Sequence, residues 1–173
     1  MGAVYHFSEE PGIAEFRPRP PIARPEAEPL VWAVAGTHQA PYLFPRDCPR
    51  ILAWPLPTTT DEDRRTWLGD GPGRTVACIE WAWFERLREA VLYRYALPAA
   101  AFAPLDGEDE PWMLVSREPV VPERVEVIPD LLAALRDAGV ELRVLPSLVP
   151  LKNAWETTMH VSGIRLRNAA GWA

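Results

Sequence analysis

Short runs in which apolar and polar residues alternate recur along this chain, the pattern of half-buried strands. Ala3–Phe7 (AVYHF), Leu30–Val34 (LVWAV) and Arg50–Trp54 come first. Val91–Leu97 (VLYRYAL), Trp112–Ser116 (WMLVS), Arg124–Ile128 (RVEVI), Val140–Leu145 and Ile164–Arg167 follow, with the alternation clearest in VLYRYAL and RVEVI. Helical spacing intervenes where Val76, Ile79, Trp83, Leu87 and Ala90 recur at three- and four-residue steps, predicting a helix over Val76–Val91. Trp81, Phe84 and Arg88 fall on a neighbouring face, so this helix is expected to be covered on more than one side. A second helix is predicted from Leu131 to about Ala138, with Asp130 capping its first-turn N–H groups and Gly139 ending it in the left-handed conformation. A short third helix is predicted over Asp61–Leu68, where Thr59 and Glu62 have capping-box spacing and Gly69 follows.

Strands and helices do not alternate regularly, which disfavours a doubly wound parallel sheet. The expected class is α+β, with twisted, mostly antiparallel sheets and two or three helices. At 173 residues the chain suits one buried core, so residues 1–173 are read as a single domain. Hydrophobic residues at 48% and eight Trp argue for an aromatic-rich core rather than a disordered chain. The 20 prolines are spread between the apolar segments and act as punctuation, densest in the stretch from Arg17 to Pro29.

A formal net charge of −6 argues against broad nucleic-acid binding, which needs a basic surface to neutralise phosphates. Arg17, Arg19 and Arg24 form one basic cluster and Arg46 with Arg50 another. Two cysteines without CxxC spacing support neither a disulfide framework nor a cysteine-rich zinc site. No apolar run approaches the ~20 residues that span a bilayer, and the N-terminus lacks the basic-then-apolar order of a secretory signal. The cytoplasm is therefore the default address. Exposed aromatics leave room for a homodimer.

Gly69–Gly73 (GDGPG) lacks the Lys-Ser/Thr pair of a phosphate loop and reads as an ordinary turn. His6, His38 and His160 share no short ligand spacing, so no metal is expected. The acidic run Asp106, Glu108, Asp109 and Glu110 reads as a solvated connector. Polar residues at strand ends are more informative. His6 interrupts an aromatic strand, the strand at Val31–Val34 runs into Thr37 and His38, and Trp112–Ser116 ends in Arg117 and Glu118.

Four segments, HFSEEPGI, YLFPRDCPR, VSREPVVP and IRLRNA, together resemble an uncharacterised bacterial protein family of unknown function. A more distant resemblance is to the ADP-ribosyltransferase-like fold, carried by an N-terminal strand with a His, a second strand leading into a short aromatic helix, and a later strand ending in Glu-Pro-Val. That resemblance implies NAD+ as substrate, held between two small sheets. It places His6 at the position that holds the adenosine ribose, Tyr42 on the nicotinamide, and Glu118 at the later acidic position. Arg46 or Arg117 would pair with the pyrophosphate. Thr37 is the one hydroxyl in VWAVAGTH, where the fold's middle strand carries a Ser-Thr-Ser type run. Ser116 stands where the fold has an acidic residue or glutamine two positions before the glutamate. The competing expectation is a non-catalytic module that binds a small ligand or a protein through an aromatic cleft near Trp32 and Tyr42. A third, a hydrolase with paired carboxylates, requires Glu9 or Glu10 near Glu118.

Overall fold

A computed structural model of the chain describes residues 2–21, 25–71, 74–104 and 112–172. Along these residues run β1 (Val4–Ser8), β2 (Val31–Ala35), β3 (Arg50–Trp54), β4 (Thr75–Glu80) and β5 (Leu92–Leu97). Then come β6 (Ala103–Pro104), β7 (Met113–Ser116), β8 (Arg124–Ile128), β9 (Val140–Leu145) and β10 (His160–Ile164). The α-helices are α1 (Asp61–Leu68), α2 (Phe84–Glu89) and α3 (Leu131–Asp137), and 3-10 segments lie between several elements, that at Val149–Glu156 running for eight residues. The class is α+β, and every strand pairing is antiparallel except β4 with β9. Among the described residues no helix is long and apolar enough to cross a membrane.

The chain divides into two compact units. The first, Met1–Gln39 with Val91–Pro129, holds a six-stranded sheet in the order β6-β7-β2-β1-β5-β8. Because side chains alternate across a sheet, Val4, Val31, Ala33, Tyr95, Leu97 and Leu114 share one face and form a core with Phe16, Phe102 and Val120. Phe16 and Val120 lie outside the strands and are tied together by reciprocal backbone hydrogen bonds of 2.8 Å. The Tyr95 hydroxyl pins the segment ahead of Phe16, donating to the Glu10 carbonyl at 2.7 Å and accepting from the Ile13 N–H at 3.1 Å.

The second unit, Ala40–Ala90 with Asp130–Ala173, holds the sheet β10-β3-β4-β9. Its core gathers Ile51, Val76, Cys78, Trp67, Leu68 and Leu148. Helix α1 starts at Thr60, whose side chain accepts from the Asp63 N–H, and three acidic residues in its first turn suit the positive end of the helix dipole. Thr60, not Thr59, is thus the cap; Thr59 instead receives the Leu56 N–H and donates to the Thr158 carbonyl. Helix α3 is capped by Asp130, whose carboxylate accepts from the Ala133 N–H at 2.9 Å, and Gly139 follows in the left-handed region at φ 71°.

Two predicted elements differ. Most of the predicted helix Val76–Val91 is not helical: Thr75–Glu80 is strand β4, Trp81–Trp83 a 3-10 turn, and only Phe84–Glu89 is α-helix. Strand β4 lies between β3 and β9 and is buried from Val76 to Glu80, so no polar residue marks a solvent face. The strand predicted at Ile164–Arg167 instead ends at Ile164, where Arg165 turns into the left-handed region (φ 56°) and a 3-10 turn begins. The acidic run at 106–110, residues 72–73 of the glycine-rich turn, and Arg24 of the first basic cluster lie outside the described residues.

Candidate functional site

His6 points to the core face of the six-stranded sheet, the same face as Val4, two residues earlier. Its Nδ1 lies 2.8 Å from the Trp32 carbonyl oxygen. A carbonyl only accepts, so Nδ1 carries the proton, and in the neutral ring Nε2 is the acceptor. The ring packs on Phe16 with centroids 4.7 Å apart, and Phe16 in turn meets Tyr95 edge-on at 5.2 Å. A histidine so held has a set tautomer and orientation.

Glu118 follows β7 by two residues. The buried Ser116 hydroxyl donates to the Glu118 carbonyl at 3.1 Å and accepts its N–H at 3.3 Å, closing a tight turn. Glu118 itself is exposed. The turn leads into Val120, whose backbone pairs with Phe16, so the strand end bearing Glu118 and the strand bearing His6 are joined through one residue. Arg117 is exposed and forms a bidentate pair with Glu28, at 2.6 and 3.1 Å. Glu9 and Glu10 follow β1, and the Glu10 backbone carbonyl accepts from the Tyr95 hydroxyl.

Thr37 sits in the 3-10 turn Gly36–His38, exposed, with its hydroxyl 2.8 Å from the His38 Nδ1. The His38 ring stacks on Trp112 at 4.5 Å and 7°. Thr37 also borders a cavity of about 360 Å³ whose wall includes Val4, Ala35, Gly36, Pro104 and Leu114. The lining is apolar side chains and backbone with one hydroxyl, which suits a small flat apolar group better than a diphosphate. Tyr42 and Arg46 belong to the second unit, so the predicted set is divided between the two units. Among the described residues no group of three or more His, Cys, Asp or Glu is placed to hold a metal ion.

In the second unit the YLFPRDCPR segment is organised by its last residue. Arg50 is buried; Nε donates to the Pro41 carbonyl at 2.8 Å, and Nη1 to those of Cys48 at 2.9 Å and Pro45 at 3.4 Å. The guanidinium also lies 5.3 Å from the Phe44 ring centroid. Burial lowers Arg50 to about 10, and the same burial pushes the Cys48 thiol up to about 12. Arg50 and Cys48 are thus framework groups rather than a reactive pair. Arg46 is exposed beside them, its carbonyl accepting from Arg165 Nε at 3.3 Å.

Sequence reasoning passed over two polar centres. Arg94 on β5 lies over Tyr5 at 5.0 Å while donating to Gln39 at 2.7 Å and to Glu126 at 2.6 Å. Its position in the alternation of VLYRYAL was the available signal. Glu80 is buried at the end of β4 and accepts the backbone N–H groups of Leu148 and Ala170. Placing it on a helix hid that role.

The chain belongs to a family of unknown function, DUF6886, whose model matches residues 5–169. The match takes in all four segments that carried the first resemblance. No curated protein and no solved structure matches the chain.

Proposed function

We propose that the chain is an NAD+-dependent ADP-ribosyl or related nucleotide-transfer enzyme of ADP-ribosyltransferase-like architecture. His6 holds the adenosine ribose and Glu118 steadies the reacting sugar. The observation that supports this most is the oriented imidazole on β1. With its proton held on Nδ1 by Trp32, a neutral His6 accepts a ribose hydroxyl proton at Nε2.

In the reaction, the bond between the ribose C1′ and the nicotinamide nitrogen breaks with its electron pair leaving on nicotinamide. An acceptor oxygen or nitrogen then attacks C1′, forming the new bond and releasing its proton to water. Positive charge develops on the sugar as it does in glycoside hydrolysis, and a nearby carboxylate opposes it. Glu118 is exposed in the free protein, so its carboxylate acquires that weight only when bound ligand displaces water from it. Arg117 is paired with Glu28 at the surface. Exposed pairs are worth about 0–1 kcal/mol, so exchange of Glu28 for a pyrophosphate oxygen costs little.

Calorimetric titration with NAD+ tests the reading, using the wild type beside His6→Ala and Glu118→Ala, each checked for folding by circular dichroism. Micromolar-range binding that weakens in the folded variants is expected. No heat at millimolar NAD+ removes the functional content. A small-ligand binding module is the second reading, favoured by the cavity beside Thr37. Binding of a small aromatic probe such as free nicotinamide that survives both variants but is lost in Thr37→Trp would select it.

A further inference from the structure

Strand β8 ends the strand order of the six-stranded sheet, paired with β5 on one side and with no strand on the other among the described residues. Such an edge presents unpaired backbone N–H and C=O groups, and proteins commonly guard it with like charges, lysine above all, with proline or with a very short strand, whereas the charges of RVEVI are one of each sign, Arg124 and Glu126. Here the prolines stand outside, at Pro122 and Pro129, and RVEVI between them carries neither lysine nor proline. Four of its five residues are exposed, and Val125 and Val127 at 48% and 53% continue from Val121 at 62%. This is an open, partly apolar edge about five residues long.

What can add to it is constrained by its own sequence. For two copies of β8 pairing antiparallel about a two-fold axis, the residue on the axis sets every cross-strand pair. An axis at Glu126 puts two glutamates opposite each other, and one at Arg124 does the same with two arginines. An axis at Val125 places Val125 against Val125 and sets Arg124 opposite Glu126 twice. Opposite charges directly across a pair are favourable and like charges are not. Glu126 already meets Arg94 through one carboxylate oxygen, leaving acceptor capacity for a second arginine.

We propose that β8 is a self-association edge, at which a second copy of this chain adds antiparallel about a two-fold axis at Val125. The contact is small beside the ~1,600 Å² of a standard stable interface, so the association is weak and strengthens with concentration.

Site-directed cross-linking reads the register directly. The native cysteines are buried at 0% and 1% exposure and do not compete. Under mild oxidation Val125→Cys is expected to form a covalent dimer, because residues facing each other across the axis have Cβ atoms within about 5.5 Å. Val127→Cys faces Glu123 of the second copy and is expected to stay monomeric. Sedimentation equilibrium up to millimolar protein should show reversible dimer in the wild type, weakened roughly tenfold or more in Arg124→Glu, which sets two glutamates across from each other. A wild type that stays monomeric, with Val125→Cys unlinked, overturns the proposal and leaves a strand from another protein as the occupant. Cross-linking of Val127→Cys as fast as Val125→Cys overturns the register.

Discussion

Glu80 offers the sharpest test of how the second unit is held together. It closes β4, is 3% exposed, and its carboxylate accepts from the Leu148 N–H at 3.3 Å and from the Ala170 N–H at 3.2 Å. One side chain thus anchors two segments that are 68 and 90 residues away along the chain. Glu80→Ala strands the buried Leu148 N–H, at a cost of about 1–3 kcal/mol for an unsatisfied buried group, whereas Ala170 is exposed and its N–H turns to water at the cost of one ordinary hydrogen bond, about 0.5–1.5 kcal/mol. Releasing a carboxylate that no longer has to be dehydrated offsets part of that loss. The expected net destabilisation is about 2–3 kcal/mol. Glu80→Gln keeps an accepting oxygen but surrenders the charge, and should cost about 1–2 kcal/mol. Urea unfolding followed by tryptophan fluorescence resolves the two, since a slope of about 2 kcal/mol per molar turns the alanine effect into a midpoint shift of roughly 1–1.5 M. Hydrogen exchange at the Ala170 amide should accelerate in parallel. An alanine variant whose midpoint is unchanged, or a glutamine variant as damaging as alanine, would refute the anchoring role.

Two further expectations concern single groups. Burial pushes Cys48 up to about 12 and Cys78 to about 11, so native protein should leave a thiol-specific disulfide reagent unreacted at pH 8 and react at both cysteines in urea; fast native labelling would contradict the packing. Asp63 is held below its ordinary 3.8 first by the Thr158 hydroxyl and then by the Thr158 N–H. Its contribution to stability is therefore full above 3.8 and lost as pH falls through the lowered folded value. Thr158→Val should return Asp63 toward 3.8, measured by carboxyl NMR titration; an unmoved titration would refute the hydroxyl's part.

The elements that were legible are those whose residue types mark their period or their ends. RVEVI kept its predicted bounds because apolar and polar residues alternate along it, and the Asp61–Leu68 helix kept its own because capping residues precede it and Gly69 closes it. TVACIE failed for the opposite reason. Enclosed by β3 and β9, it has no solvent side, and Val76 and Ile79 happen to lie three residues apart, as on a helix. The β-branched Thr75, Val76 and Ile79 were the usable signal for a strand. HVSGI was missed because Gly163 resembles a turn residue. Its glycine answers a packing need: a Cβ there would come 2.6 Å from Leu166 Cδ1 and 2.7 Å from the Trp155 ring.

At the candidate site the division is different, between a group and what holds it. His6 stood out as a polar residue in an aromatic strand, and Glu118 as an acid at a strand end. Their partners did not, because a backbone carbonyl such as that of Trp32 has no residue type to read. The same holds for Arg50, whose acceptors are three carbonyls, and for Glu80, whose donors are two backbone N–H groups. In this chain the buried polar side chains are satisfied largely by main chain, so their roles depend on where the loops pass and not on which residues those loops contain. A substitution in such a loop that keeps the backbone path should leave these groups in place, whereas an insertion that shifts it would strand them.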